Sequence, residues 1–254
     1  MVRAPQDPEL WARRSRSFGA AAREYAEHRP DYAPDAIAWA LEGRTDVLDL
    51  GAGTGGLTKD LVAAGHTVTA VEPDPGMLAE LRQRVPDAGA LPGSAEAIPL
   101  EDASVDAVTV ATAFHFFDED LAIPEIARVL RPGGVLALFY DLDDTDQAPW
   151  LRELDEAKRT SASHRPTDDE GWPTHPLLEP WDERRFPHTH RRTADSLTAT
   201  IGTQSHTLVV TAEERAETLA RVRAFLGSQA ETAEGEFAVP MWTLVARARV
   251  RVPA

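Results

Sequence analysis

The sequence of 254 residues contains no cysteine. Disulfide frameworks, thiolate metal sites and cysteine nucleophiles are therefore excluded, and nothing in the chain calls for an oxidising compartment. Lysine is nearly missing as well. It stands only at Lys59 and Lys158, and arginine supplies the rest of the 26 basic residues that face 42 acidic ones. The resulting formal charge of −16 opposes a nucleic-acid groove, whose clustered cations would have to overcome the field of the whole molecule. No uncharged apolar run approaches the roughly eighteen residues of a membrane span. The arginine-rich stretch Met1 to Phe18 carries no apolar leader segment. The expectation is a cytoplasmic protein that partners neither nucleic acid nor membrane.

What is present is a regular alternation of short apolar runs with amphipathic stretches, the pattern of a parallel sheet covered by helices. Asp46 to Leu50, Thr67 to Glu72, Ser104 to Ala111 and Val135 to Tyr140 read as strands, with a weaker one near Ala88 to Leu91. Gly56 to Ala64, Pro75 to Val85 and Asp118 to Leu130 have helical spacing. Pro75 and Asp118 suit helix starts and Gly65 a stop, while Arg131 to Gly134 reads as a turn into the next strand. Two helices, Trp11 to Glu27 and Pro34 to Leu41, precede the first strand. Proline and acidic residues concentrate between Asp141 and Pro187, where loops are expected.

Downstream, Phe186 to Arg192 reads as a strand. Thr211 to Glu214 reads as a capping box opening a helix to about Leu226, and Met241 to Val250 as a last strand. The fold class is therefore α/β: a Rossmann-like, seven-stranded, mostly parallel sheet whose last strand inserts antiparallel. One domain is expected, with an N-terminal helical cap over 1–44, a core over 45–141, an inserted cap over 142–185 and closing elements over 186–254.

Gly51-Ala52-Gly53-Thr54-Gly55-Gly56 follows the first strand and opens a helix, the setting in which glycines let a backbone approach a nucleotide closely. Gly51, Gly53 and Gly56 satisfy the dinucleotide fingerprint, and Glu72 stands at a spacing suited to ribose. A nicotinamide-dependent oxidoreductase is thus one reading. Asp49 favours another. A carboxylate at the tip of the first strand would repel a pyrophosphate but could receive an ammonium, directly or through water. S-adenosyl-L-methionine (SAM) offers that ammonium together with a sulfonium, a ribose and an adenine.

With these residues in view the sequence resembles the class I SAM-dependent methyltransferases, and among them small-molecule enzymes similar to the trans-aconitate methyltransferase group. The likeness covers Phe18 to Leu142 and rests on six motifs in order: FGAAAREYAEHRPDY, VLDLGAGTGGLT, VEPDPGML, GSAEAIPLEDASVDAV, ATAFHFFD and RVLRPGG. It implies that Gly51 and Gly53 lie along the methionine part of SAM and that Glu72 grips the ribose. Pro73, Asp74 and Met77 would lie near ribose and adenine, Ser94, Ala95 and Glu96 at the adenine edge, and Ala111 at the end of the fourth strand. Ser94 stands where relatives often carry Asp, and Phe116 where the group shows Trp. The resemblance also folds the Tyr25 and Arg29 segment over the methionine end. The competing reading pairs Arg29 with local acids.

Methyl transfer from a sulfonium is an in-line displacement, so the protein chiefly aligns donor and acceptor and excludes water. A hydroxyl or ammonium acceptor would use a base, and His115, after the fourth strand, is the candidate; lining the pocket is its other reading. Phe114, Phe116 and Phe117 flank it, at least one of them as core packing, with Phe114 and Phe117 as candidate acceptor contacts. Trp150, Trp172 and Trp181 among prolines read either as a cap pinned to the core or as contacts to a hydrophobic or aromatic acceptor. His188 and His190 share one strand face, either as metal ligands or solvated; no metal is assigned. Arg184, Arg185, Arg191 and Arg192 could meet an acidic acceptor or merely solvate strand ends. The resulting expectation is SAM-dependent methylation of a small molecule, with a SAM-binding protein that transfers no methyl group, such as a sensor, as the alternative from another class.

Overall fold

The computed structural model describes residue 26, residues 31–163 and residues 171–251. Tyr25, Arg29, His164 and all of the first expected helix except Ala26 lie outside these. Over residues 31–251 the described elements begin with α1 (Pro34–Ala40) and then run β1 (Asp46–Leu50), α2 (Gly56–Ala63), β2 (Thr67–Glu72), α3 (Pro75–Arg84), β3 (Gly89–Pro92) and β4 (Val105–Ala111). A 3-10 turn at Phe114–Phe116 leads into α4 (Glu119–Val129) and β5 (Leu130–Asp143). The remainder is α5 (Trp150–Ala157), β6 (Asp182–Arg192), α6 (Ala194–Gly202), α7 (Ser205–Leu208), α8 (Ala212–Ser228) and β7 (Phe237–Arg249).

The strands form one seven-stranded sheet in the order β3-β2-β1-β4-β5-β7-β6. The first five are parallel, and β7 slots antiparallel between β5 and β6. This is the expected fold class. Both faces of the centre are buried, which is why the parallel strands read as near-continuous apolar runs. On one face Leu48, Val108, Val110 and Leu138 pack with Ile123 and Ile126 of α4. On the other, Val47, Ala107 and Phe139 pack with Ile37 of α1 and Leu57 and Leu61 of α2.

Local chemistry sets the helix starts. Asp74 accepts from the backbone N–H groups of Gly76 and Met77, with Pro75 at the first helical position. Asp118 does the same for Asp120. Thr211 caps α8 by accepting from Glu214 N–H, but Glu214 does not complete the expected capping box: its carboxylate takes the N–H and hydroxyl of Ser161. A complete box lies instead at Thr193 and Ser196.

One further expectation is corrected. Arg131 to Gly134 is not a turn before β5 but a bulge within it. The register with β4 moves from Val105–Leu130 to Ala107–Val135, so two steps on β4 match five on β5, with Gly133 at φ +79°. The three tryptophans of the 142–185 stretch pack in two places. Trp150 is buried in a third core with Phe237, Val239, Ile201, Val222 and Leu226, the centre of a lobe built from α5, α6 and α8 on the far ends of β5 and β7. Trp172 and Trp181 lie 5.8 Å apart and join the α4 face of the sheet, where Leu178 bridges to Val250.

Candidate functional site

A cavity of about 410 Å³ opens at the carboxyl ends of β1, β2 and β4, the side of an α/β sheet where ligand crevices form. The glycine turn makes one wall. Gly51 sits at φ +67° and Gly53 at φ +58°, a region that side chains other than glycine rarely adopt. At Gly51 a Cβ would stand 2.9 Å from Ala113 Cβ and 3.3 Å from the Phe117 ring, so glycine here also permits the turn to press against the segment after β4.

Glu72 ends β2 and is only 7% exposed. Its two carboxylate oxygens accept from Gly53 N–H and Asp74 N–H, each at 2.9 Å. Burial still pushes its carboxyl above the usual range. Each oxygen retains a lone pair, so the group can accept from two neighbouring hydroxyls in the cavity.

Asp49 is differently placed. It is fully enclosed and does not line the cavity, so a ligand there cannot touch it directly. Thr58 donates to one oxygen at 2.6 Å and Thr109 to the other at 3.3 Å. Desolvation nonetheless pushes its carboxyl up to about 6.

Pro73, Asp74, Met77, Ser94, Ala95, Glu96, Ala111, His115 and Phe117 join Gly51, Gly53 and Glu72 around the cavity. Phe114 does not; it is a fully buried core ring 5.5 Å from Phe117. Trp150 and Trp172 are also absent from the lining, and Trp172 instead donates to Glu183. Phe116, the third ring flanking His115, joins the lining, and Thr112 was not foreseen. Thr112 carried a signal only in three dimensions: a β-branched residue at φ +52°, held by its N–H to Phe139 O at 2.9 Å. Gln204, Ser205 and His206, also unforeseen, reach the cavity from the helical lobe.

A second cavity of about 510 Å³ lies between that lobe and the far ends of β5, β6 and β7, and Gln204 lines both. The arginines of β6 do not converge. Arg184 stacks over Trp39 at 5.1 Å, Arg191 pairs with Glu236, and of the four only Arg192 lines the second cavity. His188 and His190 do share a face, their rings 5.6 Å apart, but no group of three metal-binding side chains exists among the described residues.

Residues 48–138 match the family model for a methyltransferase domain. An uncharacterized methyltransferase of Mycobacterium tuberculosis is 42% identical over 239 residues, covering 92% of this chain and 96% of that protein. The chain belongs to the class I SAM-dependent methyltransferases. A solved structure of a candidate type II methyltransferase from Anaeromyxobacter dehalogenans agrees in fold, with a TM-score of 0.68 at 25% identity over 89% of this chain and 99% of that one.

The cofactor of this methyltransferase is therefore SAM, and the nicotinamide reading of the glycine turn is overturned. The cavity's donor set suits it. A buried carboxylate with lone pairs to spare matches a ribose diol, glycines without Cβ leave room along the wall, and Met77 and Ala95 offer apolar surface for a base. Among the described residues no helix is long and apolar enough to cross a membrane.

Proposed function

We propose that this methyltransferase acts on a small molecule with a hydrophobic or aromatic body, as in enzymes similar to the trans-aconitate methyltransferase group. The observation that carries the reading is the second cavity, which shares Gln204 with the cofactor cavity and is walled on one side by Leu142, Leu154, Ile201, Val239 and Met241. A concave site with an apolar wall and polar groups opposite it fits a compact acceptor rather than a protein surface or a nucleic-acid strand.

SAM supplies an electrophilic methyl group on a sulfonium. In our reading Glu72 accepts the ribose hydroxyls, Gly51 and Gly53 flank the methionine part, and Pro73, Asp74 and Met77 lie against ribose and adenine. Ser94, Ala95 and Glu96 meet the adenine edge, and Ala111 bounds the cavity floor. Tyr25 and Arg29 act at the methionine carboxylate. Asp49 acts through its charge from beneath the glycine turn, and His115 takes a proton from the acceptor. Phe117 adds an aromatic wall. The N-terminal 1–44 stretch and the lobe complete a single domain around the 45–141 core, working in the cytoplasm without nucleic acid or membrane.

Titration with S-adenosylhomocysteine and mass spectrometry of a metabolite extract incubated with SAM test the reading. Cofactor binding together with a metabolite heavier by one methyl group is the expected result. Label appearing only in a protein or nucleic-acid fraction would overturn it.

A further inference from the structure

Gln204, in the link between α6 and α7, borders both the cofactor cavity and the second cavity. Its main chain is fixed from both sides. The N–H donates to Ile201 O at 3.1 Å, and the carbonyl accepts from Thr207 N–H at 2.9 Å and Leu208 N–H at 3.1 Å. Thr203 before it is fully buried, donating its hydroxyl to Thr200 O at 2.8 Å, and Ser205 after it is buried as well. Gln204 itself is only half-buried.

With both backbone groups used, the carboxamide is what Gln204 has left to offer. It stands at the N-cap position of α7 yet does not cap it, and among the described residues it has no hydrogen-bond partner. The polar groups around it differ. His206 Nε2 lies 3.3 Å from Lys158 O, Lys158 Nζ stands 3.2 Å from Asp155 and 3.8 Å from Asp143, and Asp141 accepts from Thr243 at 2.8 Å. An uncommitted neutral group therefore stands at the residue the two cavities share.

A carboxamide carries one acceptor oxygen and two N–H donors and bears no charge. A ligand that fills the second cavity and reaches the transferable methyl group passes this amide and strips solvent from it. Hydrocarbon at that point would leave the amide without a partner, whereas a hydroxyl both donates and accepts. Sites built around such a bond reject analogues that lack the polar group.

Resting on the small-molecule methylation proposed above, we infer that Gln204 is the specificity-determining residue of the acceptor site. Its carboxamide hydrogen-bonds a neutral hydroxyl that the acceptor carries beside its methylated atom, while the apolar body lies along Leu154, Leu197, Ile201 and Met241. The hydroxyl held by Gln204 is not the one methylated, because an amide N–H on the nucleophile's lone pair would oppose its attack on the methyl group. The substrate class is a compact apolar molecule with two neighbouring polar positions, one to be methylated and one to be read.

Ligand-observed NMR titration of the full-length protein saturated with S-adenosylhomocysteine tests this, with 4-methylcatechol and toluene as probes. The catechol is expected to bind about tenfold tighter than toluene. Gln204→Met keeps the length of the side chain and removes its hydrogen bonds. In it the preference is expected to shrink to roughly threefold or less, with toluene and S-adenosylhomocysteine affinities held within about twofold. Leu197→Trp, which fills the second cavity, is expected to abolish binding of both probes with S-adenosylhomocysteine affinity retained. Toluene binding the unmodified protein as tightly as the catechol would overturn the assignment, as would a preference that survives Gln204→Met. Loss of both probes together in Gln204→Met would also overturn it, since a residue that only shapes the wall moves them alike. Binding of neither probe, or binding indifferent to Leu197→Trp, would instead strike at the second cavity as the acceptor site, the reading on which the assignment rests.

Discussion

Thr58 donates a 2.6 Å hydrogen bond to Asp49 at a point wholly sealed from solvent, tying the first turns of α2 to β1 directly behind the glycine turn. With Thr109 on the other oxygen, three elements converge on one carboxylate. Two hydroxyl donors do not replace the water that an ionised carboxylate loses on burial, so the proton affinity of Asp49 rises.

The cost of that burial gives a pH signature. Below 3.8 Asp49 is protonated in folded and unfolded chains alike and exacts no penalty. As pH rises from there to about 6 the unfolded chain ionises first, so this group's contribution to stability falls; above that range the full cost stands. The shift corresponds to roughly 3 kcal/mol at 1.36 kcal/mol per unit. Asp49→Asn is expected to remove this slope and to leave stability at neutral pH undiminished, as read from urea midpoints across the interval. If the carboxylate serves the cofactor by charge, the same substitution weakens SAM about tenfold and S-adenosylhomocysteine, which lacks the sulfonium, by less. Equal affinities before and after would refute that role.

Gly51 and Gly53 separate stability from binding. Gly51→Ala places a methyl 2.9 Å from Ala113 Cβ on a backbone at φ +67°, and a loss of about 2 kcal/mol in unfolding free energy is expected. Gly53→Ala meets nothing within 4 Å and bears only the cost of φ +58°, about 1 kcal/mol. Its methyl group nevertheless enters cavity space, so its larger effect is expected in S-adenosylhomocysteine affinity. Thermal melts and calorimetry on the two variants should rank them in opposite orders.

The parallel core was legible because its signals are local. β1 and β2 run as expected from Asp46 to Leu50 and from Thr67 to Glu72, since strands buried on both faces leave continuous apolar runs between turns. The glycine turn and Glu72 were readable for the same reason. Gln204, Ser205 and His206 were not, because they reach the cavity only through the packing of a lobe whose core joins α5 to the start of β7 across the chain. Trp150 and Trp172 stood out by size in a proline-rich stretch, but size alone could not tell a ligand wall from a core, and packing decided it. Asp49 was conspicuous as a carboxylate in an apolar strand; its enclosure by Thr58 and Thr109 depends on two other elements and carries no sequence signature.

Glu72→Gln tests the carboxylate itself. Both oxygens accept backbone N–H groups at 2.9 Å, and an amide can satisfy only one, leaving its own NH2 against a donor. The expected penalty is about 2 kcal/mol, or roughly thirtyfold in S-adenosylhomocysteine affinity if the wall shifts to escape the clash. Calorimetry at one pH measures it. Affinity within experimental error of the unmodified protein would remove Glu72 from the binding set.

His115 is carried into the cavity by the 3-10 turn after β4, whose first residue, Phe114, is fully buried and anchors it. Its ring lies 4.1 Å from that of Phe116, so the imidazole has a packing role that any substitution also disturbs. The separation is kinetic. If His115 takes the acceptor's proton, His115→Ala lowers the turnover number by about a hundredfold or more while S-adenosylhomocysteine affinity moves by less than about threefold. His115→Gln, which keeps the bulk but not the base, is expected to be equally slow. Recovery of most of the rate in His115→Gln would make the residue a wall of the cavity, and the acceptor would then be a group that needs no base, such as a carboxylate.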